Sequence, residues 1–222
     1  MSASAKAWRL VRRQGMGALL RAVGEKIHHG HRSIWFARPL DNQLSVIAPH
    51  FDGRMDYDHP DRVVAYIREH DIPGTNDPVE ITSMQARGHL FAAVMDGTTI
   101  IGYIKIGWDT VYVLDYGIDI RLEPGDFFVI DIYIDPTMRG RGAGPFLVSA
   151  VSLEMKRRGF MRGVMHVRMD KTPMLKTCAR TGYGEIGRVE YHSMLGWKRF
   201  RPHPIEVIRQ IDHHRVGSGG GE

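Results

Sequence analysis

Apolar residues along this chain change period several times, and each change marks an element. Near the start, Trp8, Val11, Leu19, Val23 and Ile27 recur at close to four-residue spacing, which predicts a helix with one apolar stripe. Gly15, Gly17 and Gly24 each cost about 1 kcal/mol against alanine there, so this helix supports itself poorly. From Ser33 to Ala48 the pattern predicts one or two strands broken at Pro39. Pro60 to His70 reads as a helix with Val63, Val64 and Ile67 on one side, and a second helix is expected over Val79 to Ala86. Strand-like runs follow at His89–Met95 and Ile100–Ile106, joined by the hairpin signal Asp96-Gly97. More β-prone residues occupy 108–121, and Phe127 to Ile134 is the most β-prone stretch of all, ended by Pro136. Gly142 to Arg158 predicts a helix with Gly159 as its stop and Lys156, Arg157 and Arg158 suiting its dipole. A strand over Gly163–Arg168, a short helix over Pro173–Arg180 and strand-like material over Glu185–Leu195 complete the pattern.

Composition narrows the classes. A chain of 222 residues, 43% hydrophobic, can bury one substantial core. No run approaches the roughly 20 apolar residues that span a bilayer, and the first thirty residues lack a secretory signal pattern. The single cysteine, Cys178, rules out an internal disulfide framework, so a cytoplasmic protein is expected. Net charge is +5, but Met1–Arg32 holds seven Lys or Arg against Glu25, a local +6 that leaves the rest at about −1. The basic character belongs to an arm, which argues against a general nucleic-acid surface and against DNA as a partner. The expected division is an arm over 1–31, a catalytic domain over 32–200 and an extension over 201–222 with a flexible Gly/Ser-rich tail. The arm allows three arrangements: docking on its own domain, docking on a second subunit in a homodimer, or peripheral contact with an anionic membrane. His28, His29 and His31 lack a carboxylate or cysteine at ligand spacing, so no metal is expected.

Chemistry concentrates in Ile132-Tyr-Ile-Asp-Pro-Thr-Met-Arg-Gly-Arg-Gly-Ala-Gly-Pro145. A strand feeds a glycine-dense turn, which feeds a helix. Such a turn directs backbone N–H groups inward, and the helix adds unpaired N–H groups and the positive end of its dipole. Arg139 and Arg141 add charge, and Pro145 is tolerated in the first turn. The expectation is an anion site. No Gly-Lys-Ser/Thr follows, which excludes a Walker loop, and the glycine spacing fits the dinucleotide fingerprint poorly.

Arg139-x-x-Gly142-x-Gly144 resembles the Gln/Arg-x-x-Gly-x-Gly/Ala signature of the GNAT (Gcn5-related N-acetyltransferase) superfamily. Met95-Asp-Gly-Thr-Thr-Ile-Ile-Gly102 resembles that family's second hairpin, and Lys171 to Tyr183 has the spacing of its short helix and following Gly-aromatic pair. The resemblance covers about residues 32–195 and implies an α/β (α+β) fold with a mixed central sheet flanked by helices. It also implies acetyl-CoA, or another acyl-CoA, as co-substrate. The central strand would splay from its neighbour at a β-bulge, and Ile132 and Ile134, flanking Tyr133, would offer backbone groups to pantetheine. The amides of Arg139, Gly140, Arg141, Gly142, Ala143 and Gly144 would hold the pyrophosphate. An acceptor amine would then attack the thioester directly.

The resemblance leaves the proton carriers open. Where many members have an asparagine and a thiolate-protonating tyrosine, this chain has Lys171 and Cys178. Cys178 is either the proton donor or a buried small hydrophobe; Tyr183 is an alternative donor. Asp131 is the best carboxylate for a general base, or else an ion-pair partner of a residue such as Arg168. Tyr133 either orients the acceptor or packs, and His166 is a further proton acceptor by type. Residues 108–126 hold Asp109, Asp115, Asp119, Glu123 and Asp126 with Trp108, Tyr112 and Tyr116, which would form either a wall for a cationic amine or an amino sugar, or a solvated hairpin. Acetyl transfer to a small-molecule primary amine is the leading function. A non-catalytic interaction module of the same fold, or an enzyme modifying a protein or ribosomal target, are the other readings.

Overall fold

A computed structural model of the protein describes residues 28–41, 43–70, 72, 78–194, 197–202 and 208–211. The expected helix of the arm and the Gly/Ser-rich tail lie outside the described residues. The strands are β1 (His28–Pro39), β2 (Gly53–Asp56), β3 (Leu90–Asp96), β4 (Thr99–Trp108), β5 (Thr110–Val113), β6 (Ile118–Leu122), β7 (Asp126–Ile134), β8 (Arg162–Arg168), β9 (Gly184–Met194), β10 (Trp197–Pro202) and β11 (Ile208–Ile211). The helices are α1 (Pro60–Glu69), α2 (Pro78–Ala86), α3 (Ala143–Arg157) and α4 (Thr172–Arg180).

An eight-stranded sheet runs β10-β9-β1-β8-β7-β4-β3-β2, and a second sheet of three strands runs β11-β6-β5. Only the central β7–β8 pair is parallel among the described pairings; it is connected through α3, as a parallel crossover requires. The β3–β4 hairpin closes with Asp96 opposite Thr99 and Gly97 at φ +58, the positive φ that a two-residue turn needs.

Three clusters of apolar side chains cover the large sheet. On one face α3 lays Phe146, Leu147 and Val151 against Ile104, Val129 and Met165. On the other, α1 and α2 bring Val63, Ile67 and Ile81 to Phe91 and Tyr103. Beside them the β5–β6 hairpin buries Val111, Ile118 and Ile120 against Trp35, Phe128 and Val164.

The structure differs from the periodicity at both ends of the sheet. β1 begins at His28 and pairs with Ser193 and Met194 of β9, so residues assigned to the arm belong to the sheet. After Pro39 the expected second strand does not form. Residues 43–52 instead lie against α3 and the turn before it, where the Ile47 N–H donates to Ser149 Oγ at 2.9 Å and the His50 N–H to the Arg141 carbonyl at 2.9 Å. Ile208–Ile211, assigned to the extension, pairs with β6.

Candidate active site

The parallel pairing of β7 with β8 spans only Asp126–Val129 against Arg162–Met165. Beyond it, β7 stays with β4 while β8 stays with β1, so the two strands part in the middle of the sheet. A bulge sits at the fork. Lys105 lies opposite Asp131 and Ile106 opposite Val129, which leaves Ile130 as the extra residue. A cleft of about 530 Å³ occupies the gap, floored by Val129–Tyr133 and Met165–Arg168. Met174 and Lys171 line it from the α4 side, and Val113, Leu114 and Asp115 from the hairpin side. The cleft therefore reaches both faces of the sheet.

Asp131 stands in the floor with a defined set of partners. Its Oδ2 accepts from the Tyr103 hydroxyl at 2.8 Å and lies 4.0 Å from Lys105 Nζ. Lys105 is fully buried although its stem lies in the apolar run of β4. Burial pushes the Asp131 carboxyl above the usual carboxylate range, while Lys105, Tyr103 and the backbone at Ile132 pull it back. A carboxylate raised in this way is a stronger proton acceptor than a solvated aspartate. Tyr133 stacks on Tyr103 with ring centroids 5.7 Å apart. Across the fork, His166 Nε2 lies 3.7 Å from Asp115 Oδ2, and burial pushes the imidazole down to about 4.

On the opposite face, the glycine-dense turn leads into α3. A 3₁₀ turn over Pro136–Met138 is capped by Asp135, whose Oδ1 accepts from the Thr137 N–H at 2.8 Å. Gly140 and Gly142 have φ of +81 and +82, a left-handed backbone that disfavours any side chain, and Gly142 is the N-cap of α3. Gly144 answers a different need. A Cβ there would stand 3.2 Å from Thr177 Oγ1, so the glycine lets α3 approach α4. Ala143 and Pro145 are buried while Arg139, Gly140 and Arg141 are exposed, leaving the turn's outer backbone and two guanidinium groups accessible. This is the donor set of an anion-binding helix N-terminus.

Residues 50–183, more than half of the chain, match the Acetyltransferase (GNAT) family. The chain belongs to that family. Among solved structures, the chain is similar to a Drosophila protein (TM-score 0.55, 14% identity, covering 82% of this chain and 58% of that one). It is also similar to a GCN5-related N-acetyltransferase from Sphaerobacter thermophilus (TM-score 0.54, 17% identity, covering 83% and 58%). Thus the chain spans 58% of the length of each of these two. At such identities the likeness concerns the fold, here that of a GNAT domain. No curated protein matches the sequence at a significant level.

Within the GNAT frame, some expected site residues gather at the cleft and others do not. Asp131, Ile132 and Tyr133 line it, Ile134 ends the same strand, and Lys171 stands at its α4 rim. Cys178 does not line it. The thiol is fully buried in the core with Sγ 3.5 Å from Met165 Sδ, and burial pushes it up to about 12. This placement, in the core and away from the cleft, gives Cys178 the surroundings of a small hydrophobe. Tyr183 does not line the cleft either. Its hydroxyl lies 3.3 Å from Ser152 Oγ and fills the space over Gly163 at the start of β8, away from the end where the strands part.

Asp131 pairs with Lys105 rather than Arg168, whose guanidinium is taken by Asp170 through contacts of 3.0 and 2.8 Å. The acidic wall also dissolves. Asp126 forms a two-pronged ion pair with Arg162, Asp119 lies 3.9 Å from Arg87, and Trp108 packs against His89 and Phe160. Of that set Asp115 alone lines the cleft.

Lys105 and Tyr103 were missed by the sequence reading. The signal was present: a lysine between Ile104 and Ile106 is as anomalous in a buried strand as the aspartate that drew attention to Asp131.

Proposed function

We propose that the protein is an acyl-CoA-dependent N-acyltransferase that moves an acetyl group from acetyl-CoA to a small-molecule primary amine. The observation that carries this reading is the fork between β7 and β8, with the α3 anion site on one face and Asp131 on the other. The left-handed glycines and the close approach at Gly144 fit a pyrophosphate held by backbone N–H groups. Acetyl-CoA supplies an activated acyl group as a thioester. Residues 139–144 hold its phosphates, and the edge of β7 beyond the bulge offers backbone groups along Ile132–Ile134.

Asp131 receives one proton from the acceptor's nitrogen. The acceptor reacts as the neutral amine: its lone pair forms the new C–N bond at the thioester carbon, the C–S bond breaks, and the thiolate takes a proton from water, which the proton released by Asp131 replaces. Lys105 and Tyr103 keep Asp131 oriented and ionised enough to serve. Positioning of the two substrates on opposite faces supplies much of the rate, and general-base help contributes on the order of 10²–10⁴-fold. The buried lone thiol fits a reducing, cytoplasmic setting. Among the described residues no helix is long and apolar enough to cross a membrane.

Calorimetric titration with acetyl-CoA, followed by a thiol-release assay over a panel of amines, tests the reading. Asp131→Asn should bind acetyl-CoA like the wild type and lose kcat by roughly 10²-fold or more. A folded protein that binds neither acetyl-CoA nor longer acyl-CoAs would sink the enzyme reading and favour an interaction module.

A further inference from the structure

The hairpin side of the cleft is built more firmly than a loop rim. The turn between β5 and β6 is pinned by Tyr116, which is buried. Its hydroxyl shares a 2.8 Å hydrogen bond with Ser33 Oγ and accepts from Trp35 Nε1 at 3.1 Å. The Gly117 N–H donates to the Val113 carbonyl at 2.8 Å, and Gly117 takes φ +61 to close the turn. Asp115, next to Tyr116, is thereby held over the cleft with its side chain about one-third exposed.

The groups around Asp115 leave its carboxylate without a lysine or arginine in contact. From β8, its neighbour is His166 at 3.7 Å, an imidazole that burial pushes towards its neutral form while Asp115 pulls the other way. Arg168, further along β8, is paired with Asp170 at 2.8 Å and feels the Asp115 charge only from beyond contact distance. From β4, Lys105 belongs to Asp131. From α4, Lys171 lies at the exposed opposite rim, and from β1, His31 stacks on Tyr116. Among the described residues no lysine or arginine comes within 4 Å of the Asp115 carboxylate. Asp115 also acts on Asp131 from across the fork, pushing that carboxyl further up. A part-buried carboxylate lining the cleft, with no lysine or arginine in contact and a second carboxylate across the fork, is completed by a cation from the ligand.

Granted the acyltransferase reading, on which this inference rests, we propose that the acceptor carries a second cationic group and that Asp115 selects it. The amine to be acylated sits at Asp131, and a distal ammonium or guanidinium sits at Asp115 above His166. The substrate class is therefore a diamine or a similarly dicationic small amine. Asp115 is a specificity residue supplied by the inserted hairpin and has no part in the chemical step.

The test is calorimetry of the full-length protein, with and without saturating CoA, against butylamine, 4-aminobutyrate and α,ω-diamines of increasing length. One diamine should bind roughly tenfold or more tighter than butylamine, and 4-aminobutyrate should bind weakest. Asp115→Asn should collapse that preference towards one. Asp115→Glu should keep it and move the optimum to a shorter diamine, which separates lost charge from lost fold. Equal affinities for diamine and butylamine in the wild type, tightest binding of 4-aminobutyrate, or a preference that survives Asp115→Asn would each overturn the assignment. Failure of CoA to bind, with the diamine preference intact, would count against the acyltransferase reading and leave the amine site standing.

Discussion

At Asp131 two effects oppose one another. Removal from water raises the carboxyl, and the Lys105 ammonium with the Tyr103 hydroxyl lowers it. In the proposed mechanism this balance sets where Asp131 titrates, because only the ionised carboxylate would accept the amine proton. Lys105→Met keeps the length and packing of the stem and deletes the cation. With its stabilising partner gone, the carboxylate holds its proton to higher pH. The acidic limb of the kcat/KM profile should therefore move to higher pH, and the rate at pH 7 should fall. Initial rates from pH 5.5 to 9 for the two proteins check this, and an unmoved limb would mean that Asp131 is not the group that titrates. Because Lys105 is fully buried, stability must be measured alongside: breaking a buried pair from one side costs about 3–5 kcal/mol.

Among the elements, the turn before α3 makes the sharpest demand on residue type. Gly142 holds φ +82 at the N-cap, where a Cβ would meet Pro49 Cα at 3.5 Å, an ordinary contact. Space is available there and conformation is not. Gly142→Ala should cost about 1–2 kcal/mol through the left-handed backbone alone, seen as a fall in Tm of about 2–4 °C per kcal/mol. It should also weaken acetyl-CoA binding, because relaxing the strain turns the N-terminal amides of α3. Thermal melts and calorimetric titration read the two effects separately; unchanged affinity in a destabilised variant would remove this turn from the phosphate site. The turn was legible because its requirement is local: glycine spacing, a preceding strand and a following helix lie within one short segment. The same holds for the Asp96-Gly97 hairpin and for α1, α3 and α4, whose periodicity is written in consecutive residues. Pairings between distant segments were not legible. Nothing near His28 announces Met194 as its partner, and Ile208–Ile211 becomes a strand only because β6 offers an edge. The Lys105–Asp131 pair depends on a register shifted by one residue at Ile130, which no single strand encodes. The surroundings of Cys178 and Tyr183 were not legible for the same reason, since which side chains are covered is decided by packing across the sheet.

Across the whole molecule, the proposed acyl transfer would use the fork to give the two substrates separate entrances. The α3 and α4 face presents the anion site, and the α1 and hairpin face presents Asp131 and Asp115, with the cleft joining them through the sheet. Both substrates must then be present together for the nitrogen to reach the thioester, and no side chain needs to carry the acyl group between them. The single thiol of the chain, Cys178, is fully buried and held protonated well above pH 7. Initial rates measured over a grid of acetyl-CoA and amine concentrations should give intersecting rather than parallel double-reciprocal lines. Intact mass spectrometry after incubation with acetyl-CoA alone should show no acetyl adduct. Cys178→Ala should keep its kcat while losing about 1 kcal/mol of stability to the small cavity it leaves. Parallel lines together with an adduct lost in Cys178→Ala would instead require that α4 open to expose the thiol, and would replace direct attack with a two-step transfer.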